Sequence, residues 1–196
     1  MSGRYPEIYV LRHGQTVWNL EKRFQGSGNS PLTVLGRRQA AMQGAILHGQ
    51  GVVARGLPVL ASPQGRAQQT ADIVVARLGC THKSDARLAE LKQGAWEGLH
   101  EHEIKARWPE IHAKRGNDIQ WYFDNPTAES FASLHARAGE FLTSLRGPAV
   151  IVTHGITSHI LRGIWLGLDL KASAALPGGQ GCVYHLRDAT QRKLEH

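Results

Sequence analysis

Glu7-Ile8-Tyr9-Val10-Leu11-Arg12-His13-Gly14 decides how the rest of the chain is read. The run up to Leu11 is short, apolar and rich in β formers, and it halts at polar Arg12-His13-Gly14. That is the pattern of a buried strand handing its C-terminal end to a loop. Moving outward, a loop with Gly26, Gly28, Asn29 and Pro31 leads into Thr33 to about Leu47, which opens on a Thr N-cap and carries apolar residues at helical spacing. Pro58-Val59-Leu60-Ala61-Ser62-Pro63 reads as a second strand and turn. Gly65 to Leu78 reads as a helix with Ala67, Ala71, Val74 and Leu78 on one side and Arg66 in its first turn. Helical pattern returns at about His100 to Trp108 and Ser130 to Leu145. Ala149-Val150-Ile151-Val152-Thr153 is then a third core strand ending at His154-Gly155, followed by a helix to about Leu166 and an edge strand near Gly181 to Leu186.

Near-continuous apolar strands alternating with helices predict an α/β fold, a three-layer α/β/α sandwich with a mainly parallel central sheet. Such sheets bind ligands beyond the C-terminal ends of their strands. His13, Ser62-Pro63 leading to Arg66, and His154 all stand at those ends, so positions far apart in sequence are expected to converge at one mouth.

The residue types there suit phosphate chemistry. A guanidinium grips two phosphate oxygens and keeps its charge, while a neutral imidazole, with a free pKa of about 6.5, can attack phosphorus near neutrality. Arg12 and His13 are candidates for clamp and nucleophile. A transferring phosphoryl group spreads charge over three oxygens, so further donors are needed, and Arg66 and His154 are the candidates. Gly14 and Gly155 would let backbone approach the phosphate, and a helix starting after His154-Gly155 would add its dipole. A leaving alkoxide needs a proton. Glu90 in Arg87-Leu88-Ala89-Glu90-Leu91 has apolar neighbours, a setting in which burial raises a carboxyl pKa toward neutrality.

The bulk properties narrow the field. The length of 196 residues suits one domain, taken as residues 1–193, with Leu194-Glu195-His196 set aside as resembling a tag scar. The net charge of +7 favours anionic partners, but Arg12, Arg66, Arg87 and Arg162 are scattered singly among apolar and small residues. That distribution fits a pocket for a small phosphorylated metabolite and not a nucleic-acid track. No apolar run reaches the roughly 18 to 20 residues that cross a bilayer, and the polar start lacks a secretory signal, so a cytoplasmic protein without membrane partners is expected. Cys80 and Cys182 lack metal or redox spacing and read as buried thiols. His100-Glu101-His102-Glu103 is not read as a metal site, because alternating residues do not share a helical face.

These blocks together resemble the histidine phosphatase superfamily, the phosphoglycerate-mutase-like proteins. The resemblance rests on Leu11-Arg12-His13-Gly14-Gln15-Thr16 with Asn19, then Arg23-Phe24-Gln25-Gly26 with Ser30-Pro31-Leu32-Thr33 and Leu35-Gly36. It continues through Ala61-Ser62-Pro63 with Arg66-Ala67 and Gln69-Thr70-Ala71, Leu88-Ala89-Glu90 with Gly94, Trp96, Glu97 and Gly98, Glu129-Ser130, and Thr153-His154-Gly155. It implies a phosphohistidine at His13, phosphate contacts from Arg12, Arg66, His154 and Asn19, a phosphate-binding loop at Gln25-Gly26, acid/base duty for Glu90, and no metal or organic cofactor.

Mutases resembling the bacterial glycolytic enzyme carry Arg-His-Tyr after the acid/base Glu, where this chain has Leu91-Lys92-Gln93, and Asn where it has Ile156. Its interval from Glu90 to His154 is also shorter. The resemblance therefore points to the phosphatase branch, acting on small phosphomonoesters. A phosphoglycerate mutase, a sugar-bisphosphatase and a non-catalytic phospho-ligand binder are the alternatives, and a homodimer is left open. Trp108 to Pro126, with Trp121, Tyr122 and Phe123, is expected to roof the pocket, its aromatics packing as core in preference to stacking on a leaving group.

Overall fold

The computed structural model describes residues 5–115, 119–125 and 127–195. In chain order the elements are β1 (Ile8–Arg12), α1 (Val17–Leu20), α2 (Val34–Gly49), β2 (Val59–Ala61), α3 (Gly65–Leu78), β3 (His82–Ser84), α4 (Glu101–Arg107), α5 (Pro109–Ala113), α6 (Phe131–Ser144), β4 (Ala149–Thr153), α7 (Gly155–Leu166), α8 (Leu170–Ala174), β5 (Val183–Arg187) and β6 (Thr190–Leu194). The strands form one sheet in the order β3-β2-β4-β1-β5-β6. Its first four strands are mutually parallel, while β5 runs antiparallel to β1 and β6 antiparallel to β5.

The helices lie on both faces, as the strand composition requires. Ile8, Val10 and Ile151 turn to one side and pack with Leu134, Phe141, Leu161 and Trp165 of α6 and α7. Their neighbours Tyr9, Leu11, Val150 and Val152 turn to the other and pack with Leu47, Ala67, Ala71 and Val74 of α2 and α3. Alternate residues of β1 and β4 thus feed two separate cores, which is why these strands read as unbroken apolar runs. A third cluster of Trp96, Ile104 and Trp121 sits apart.

Two expectations about the sheet are corrected. β5 is not an edge strand: β6 lies outside it, and its own residues Val183, Tyr184 and Leu186 are buried. The other edge, β3, is the polar triplet His82-Lys83-Ser84, which has no apolar periodicity for a sequence reading to detect. Leu194 closes β6 opposite Val183, so the strand runs into the stretch set aside as tag-like. His196 lies outside the described residues. No helix among the described residues is long and apolar enough to cross a membrane.

β4 lies between β1 and β2, although β1 and β2 come first in sequence. The chain therefore crosses over it, and the C-terminal ends of three neighbouring strands open onto one region. His13 follows β1, Ser62 follows β2 and His154 follows β4. The His13 amide donates to the Thr153 carbonyl at 2.9 Å, which locks the first and last of these ends together.

Candidate active site

A cleft of about 790 Å³ opens at these strand ends, lined at its inner end by Arg12, His13, Arg66, Glu90, Gly155 and Ile156. His13 is buried, and its Nδ1 lies 2.7 Å from the Gly14 carbonyl oxygen. A carbonyl can only accept, so Nδ1 carries the proton and Nε2 keeps the lone pair. Arg66 Nε donates to that Nε2 at 3.2 Å. Burial, and then the charges of Arg12 and Arg66, push the His13 pKa well below the ordinary imidazole value, so the ring is neutral at neutral pH.

Arg66 is the second residue of α3, with its backbone amide capped by Asn29 Oδ1 at 3.1 Å. Its guanidinium donates to the Gly28 and Gly26 carbonyls at 2.7 and 2.9 Å, and it makes no salt bridge to a carboxylate among the described residues. Burial foremost lowers its pKa to about 10, which leaves it charged. Gly26 has φ of +50°, and a Cβ there would run into the Glu97 carboxylate, so glycine is required for the carbonyl to face Arg66. Arg12 Nε is buried with no acceptor among the described residues.

His154, ring centre 5.2 Å from that of His13, is also fully buried and held well below the usual imidazole pKa, first by burial and then by Arg66. Its Nε2 lies 2.7 Å from Ser62 Oγ, and its Nδ1 has no partner among the described residues. Asn19 and Gln25 line the cleft. Asn19 Oδ1 accepts from the Thr16 amide and from Gln180 Nε2, both at 3.1 Å, which leaves its amide nitrogen unengaged among the described residues. Gln25 Nε2 donates to Thr16 Oγ1 at 2.8 Å.

Glu90 departs from the apolar setting expected for it. Its carboxylate accepts from the amides of Leu91 (2.9 Å), Ile156 (3.1 Å) and Thr157 (3.0 Å) and from Thr157 Oγ1 (2.9 Å). Three of these bonds end on Oε1 and one on Oε2, so Oε2 is the oxygen with spare capacity. Two of these amides, those of Ile156 and Thr157, lie in the first turn of α7, so Glu90 occupies donors at the helix end whose dipole was expected to favour a phosphate. A Cβ on Gly14 would strike the Gly36 carbonyl of α2, so close packing requires glycine there, whereas one on Gly155 would make only ordinary contact with the Arg12 guanidinium.

Of the four scattered arginines, only Arg12 and Arg66 reach the cleft. Arg87 pairs with Asp85 at 2.6 Å, and Arg162 is buried elsewhere, 3.9 Å above the Tyr184 ring. Cys182 is buried but Cys80 is exposed, contrary to expectation. His100 and His102, expected to lie apart, stack at 5.3 Å, because His100 precedes α4 as its N-cap and is not bound by helical spacing. The expected roof divides: Trp121 is buried against Trp96, ring centres 4.5 Å apart, and Phe123 packs on Phe131, whereas Ile119 and Tyr122 line the cleft. Residues 116–118 and Pro126 of that segment lie outside the described residues.

Sequence reasoning missed three groups. Gln64 joins the site's parts: its Nε2 donates to the Gly26 carbonyl at 2.9 Å, and its Oε1 accepts from the Glu90 amide at 2.9 Å and from Arg66 at 3.3 Å. Its place between Ser62-Pro63 and Arg66 was the available signal. Thr70 Oγ1 accepts from the Gly14 amide and donates to the Arg66 carbonyl, tying the His13 loop to α3. Gln180, from a Gly-rich tail loop with no local signal, donates to the His13 carbonyl at 3.1 Å.

Known proteins share this arrangement of the chain. "Probable phosphoglycerate mutase GpmB" of Klebsiella pneumoniae is 35% identical over 177 residues, 87% of this chain and 79% of that protein. A mycobacterial glucosyl-3-phosphoglycerate phosphatase, solved with VO3, superposes with a TM-score of 0.77 at 30% identity, covering 97% of this chain and 98% of its own. The alpha-ribazole phosphatase of Shigella flexneri shares the fold, with a TM-score of 0.81 at 24% identity over 97% and 96% of the two chains. Residues 8–194 match the Histidine phosphatase superfamily (branch 1), and the chain belongs to that family.

Proposed function

We propose that this protein is a phosphatase that hydrolyses small phosphomonoesters through a phosphohistidine at His13. The observation that carries this reading is the state of His13. It is neutral, its Nδ1 proton is committed to Gly14, and its one lone pair, on Nε2, stands among the guanidinium groups of Arg66 and Arg12.

An incoming phosphate offers Arg66 a stronger acceptor than an imidazole nitrogen, so the guanidinium transfers to phosphate oxygens and frees Nε2. Arg12 Nε gains the acceptor it lacks. Nε2 attacks phosphorus, the bond to the leaving oxygen breaks, and Glu90 Oε2 delivers a proton to that oxygen. Water then enters, Glu90 takes one of its protons, and the hydroxide oxygen displaces His13 from phosphorus. Orthophosphate leaves with His13 neutral again. Glu90 suits both duties because the amides of Leu91, Ile156 and Thr157 hold it in place while Oε2 keeps a free lone pair.

Hydrolysis is favoured over phosphate return. Leu91, at the first of the positions where mutases grip phosphoglycerate, is fully buried in the core and offers nothing to a substrate. Ile156 brings an apolar side chain to the cleft. The mycobacterial relative's name also supports the phosphatase branch. The mutase reading keeps one supporting observation, the name of the Klebsiella relative.

Turnover of a chromogenic phosphomonoester by wild type and by His13→Ala is the first test. The variant is expected to lose at least about a thousandfold in kcat. Equal rates would remove His13 as nucleophile, and interconversion of phosphoglycerates faster than phosphate release would replace the hydrolase by a mutase. Release of phosphate across a panel of phosphorylated metabolites then identifies the leaving group.

A further inference from the structure

Ser62 stands at the end of β2 with no exposed surface. Two polar contacts reach its Oγ: the Gln64 amide donates to it at 3.3 Å, and His154 Nε2 lies at 2.7 Å. His154 is equally buried, and its Nδ1 has no protein partner among the described residues.

The neutral ring can carry its proton on either nitrogen, and the two choices are unequal. With the proton on Nε2, His154 would donate to Ser62. The serine hydrogen would then have no acceptor among the described residues, and Nδ1 would be a bare buried lone pair. With the proton on Nδ1, Ser62 donates to Nε2 and accepts from Gln64, so both of its functions are used. The single group left over is then the Nδ1 hydrogen. Buried polar groups are rarely left unmatched without a functional reason, and this one belongs to a ring beside His13. Burial and the nearby arginines keep the ring from taking both protons.

We propose that Ser62 is a positioning residue: its hydroxyl, donated to His154 Nε2, fixes the Nδ1–H tautomer and makes His154 a hydrogen-bond donor to the phosphoryl group during transfer. The inference rests on the phosphoryl-transfer reading of the site. The opposite tautomer would turn a lone pair toward the phosphoryl oxygens and repel the charge it should stabilise. Ser62 has no exposed surface to offer a substrate, and beside the long 3.3 Å bond from the Gln64 amide its hydroxyl meets only His154 among the described residues, so the tautomer effect of its removal acts through His154.

The test is a two-bond proton–nitrogen NMR correlation on protein labelled with 15N-histidine, with the His154 signals identified by their loss in His154→Asn. Wild type is expected to show a protonated Nδ1 and an unprotonated Nε2, without and with inorganic phosphate. Ser62→Ala is expected to mix the tautomers and to lower kcat on a chromogenic phosphomonoester roughly tenfold to a hundredfold. In the His154→Asn background the same change should cost nothing further. A wild-type spectrum with the proton on Nε2 overturns the proposal, even if Ser62→Ala fails to fold. So does a Ser62→Ala protein with unaltered tautomer and rate. Failure of the phosphatase reading looks different: turnover would be absent or indifferent to His13→Ala, while the wild-type spectrum would still decide the tautomer.

Discussion

The inner end of the cleft and its mouth are built on opposite plans. Inside, His13, Arg66 and Glu90, with His154 packed behind His13, are buried and, apart from the His154 Nδ1 that has no partner among the described residues, each is held by backbone or by a buried side chain. At the mouth, Lys22 and Lys105 are exposed and carry no ion pair among the described residues, while Glu101 is engaged by Arg115 and His112. The inner groups sit on strand ends and helix starts, whose positions the two cores dictate. The mouth is made of the loop around residues 21–25 and the start of α4, stitched together through Arg23 and His100. A rigid floor and a loosely committed rim are what a family needs if one reaction is to serve many leaving groups.

The sharpest way to break that contrast is Glu90→Gln. The amide keeps the shape but supplies no proton and sets its NH2 against the Ile156 amide, so kcat should fall about a hundredfold to ten-thousandfold with a stability loss of about 1–3 kcal/mol. A small effect measured on a substrate with a poor leaving group would show that the floor does not hold the acid.

Gly36→Ala probes the scaffold beneath the floor. A Cβ there collides with the Gln15 carbonyl, a backbone atom that cannot step aside without moving the His13 loop. A loss of about 3 kcal/mol in urea unfolding is expected, together with lowered activity.

The pH dependence of stability separates the floor by its charge state. The pKa values of His13 and His154 lie below the unfolded value of about 6.5, so between those limits the unfolded chain binds more protons and stability rises with pH. The contribution is fully present above about pH 6.5. It is lost as pH falls through that value toward 5.5, with a slope of up to about 1.4 kcal/mol per pH unit for each ring. Urea midpoints at pH 7.5, 6.5 and 5.5 check this, and replacement of His154 by Asn should flatten the slope.

The smallest effect belongs to the mouth. Lys105→Ala should leave the melting temperature unchanged and shift KM for a phosphate monoester with an uncharged aryl group by less than about threefold, since an exposed cation is screened by solvent. A large loss of kcat would mean that the rim takes part in the chemistry.

Much of the fold was legible from a few residues. Thr33 announced its helix as an N-cap and accepts the expected amide from Gly36, and the helical pattern from Ser130 became α6. The apolar runs at Ile8–Leu11 and Ala149–Val152 became adjacent parallel strands. β3 escaped because a polar edge triplet paired on one side needs no apolar pattern. β5 was misplaced because burial of a strand by a later hairpin partner leaves little trace in its own residues. At the site, residue types and strand-end positions pointed to His13, Arg12, Arg66, Glu90 and His154. The surroundings of Glu90 could not be read locally, since the amides that hold it arrive from α7, more than sixty positions away.

The sequence by itself therefore determined the element order, the strand ends where reactive groups stand, and the family, because local propensity, hydrophobic period and motif residues are local properties of a chain. Only the tertiary structure decided that Arg66 covers the His13 lone pair, that α7 serves Glu90, and that Ser62 faces His154. Those depend on the strand order β2-β4-β1 and on the orientation of single side chains, which follow from the packing of the whole molecule.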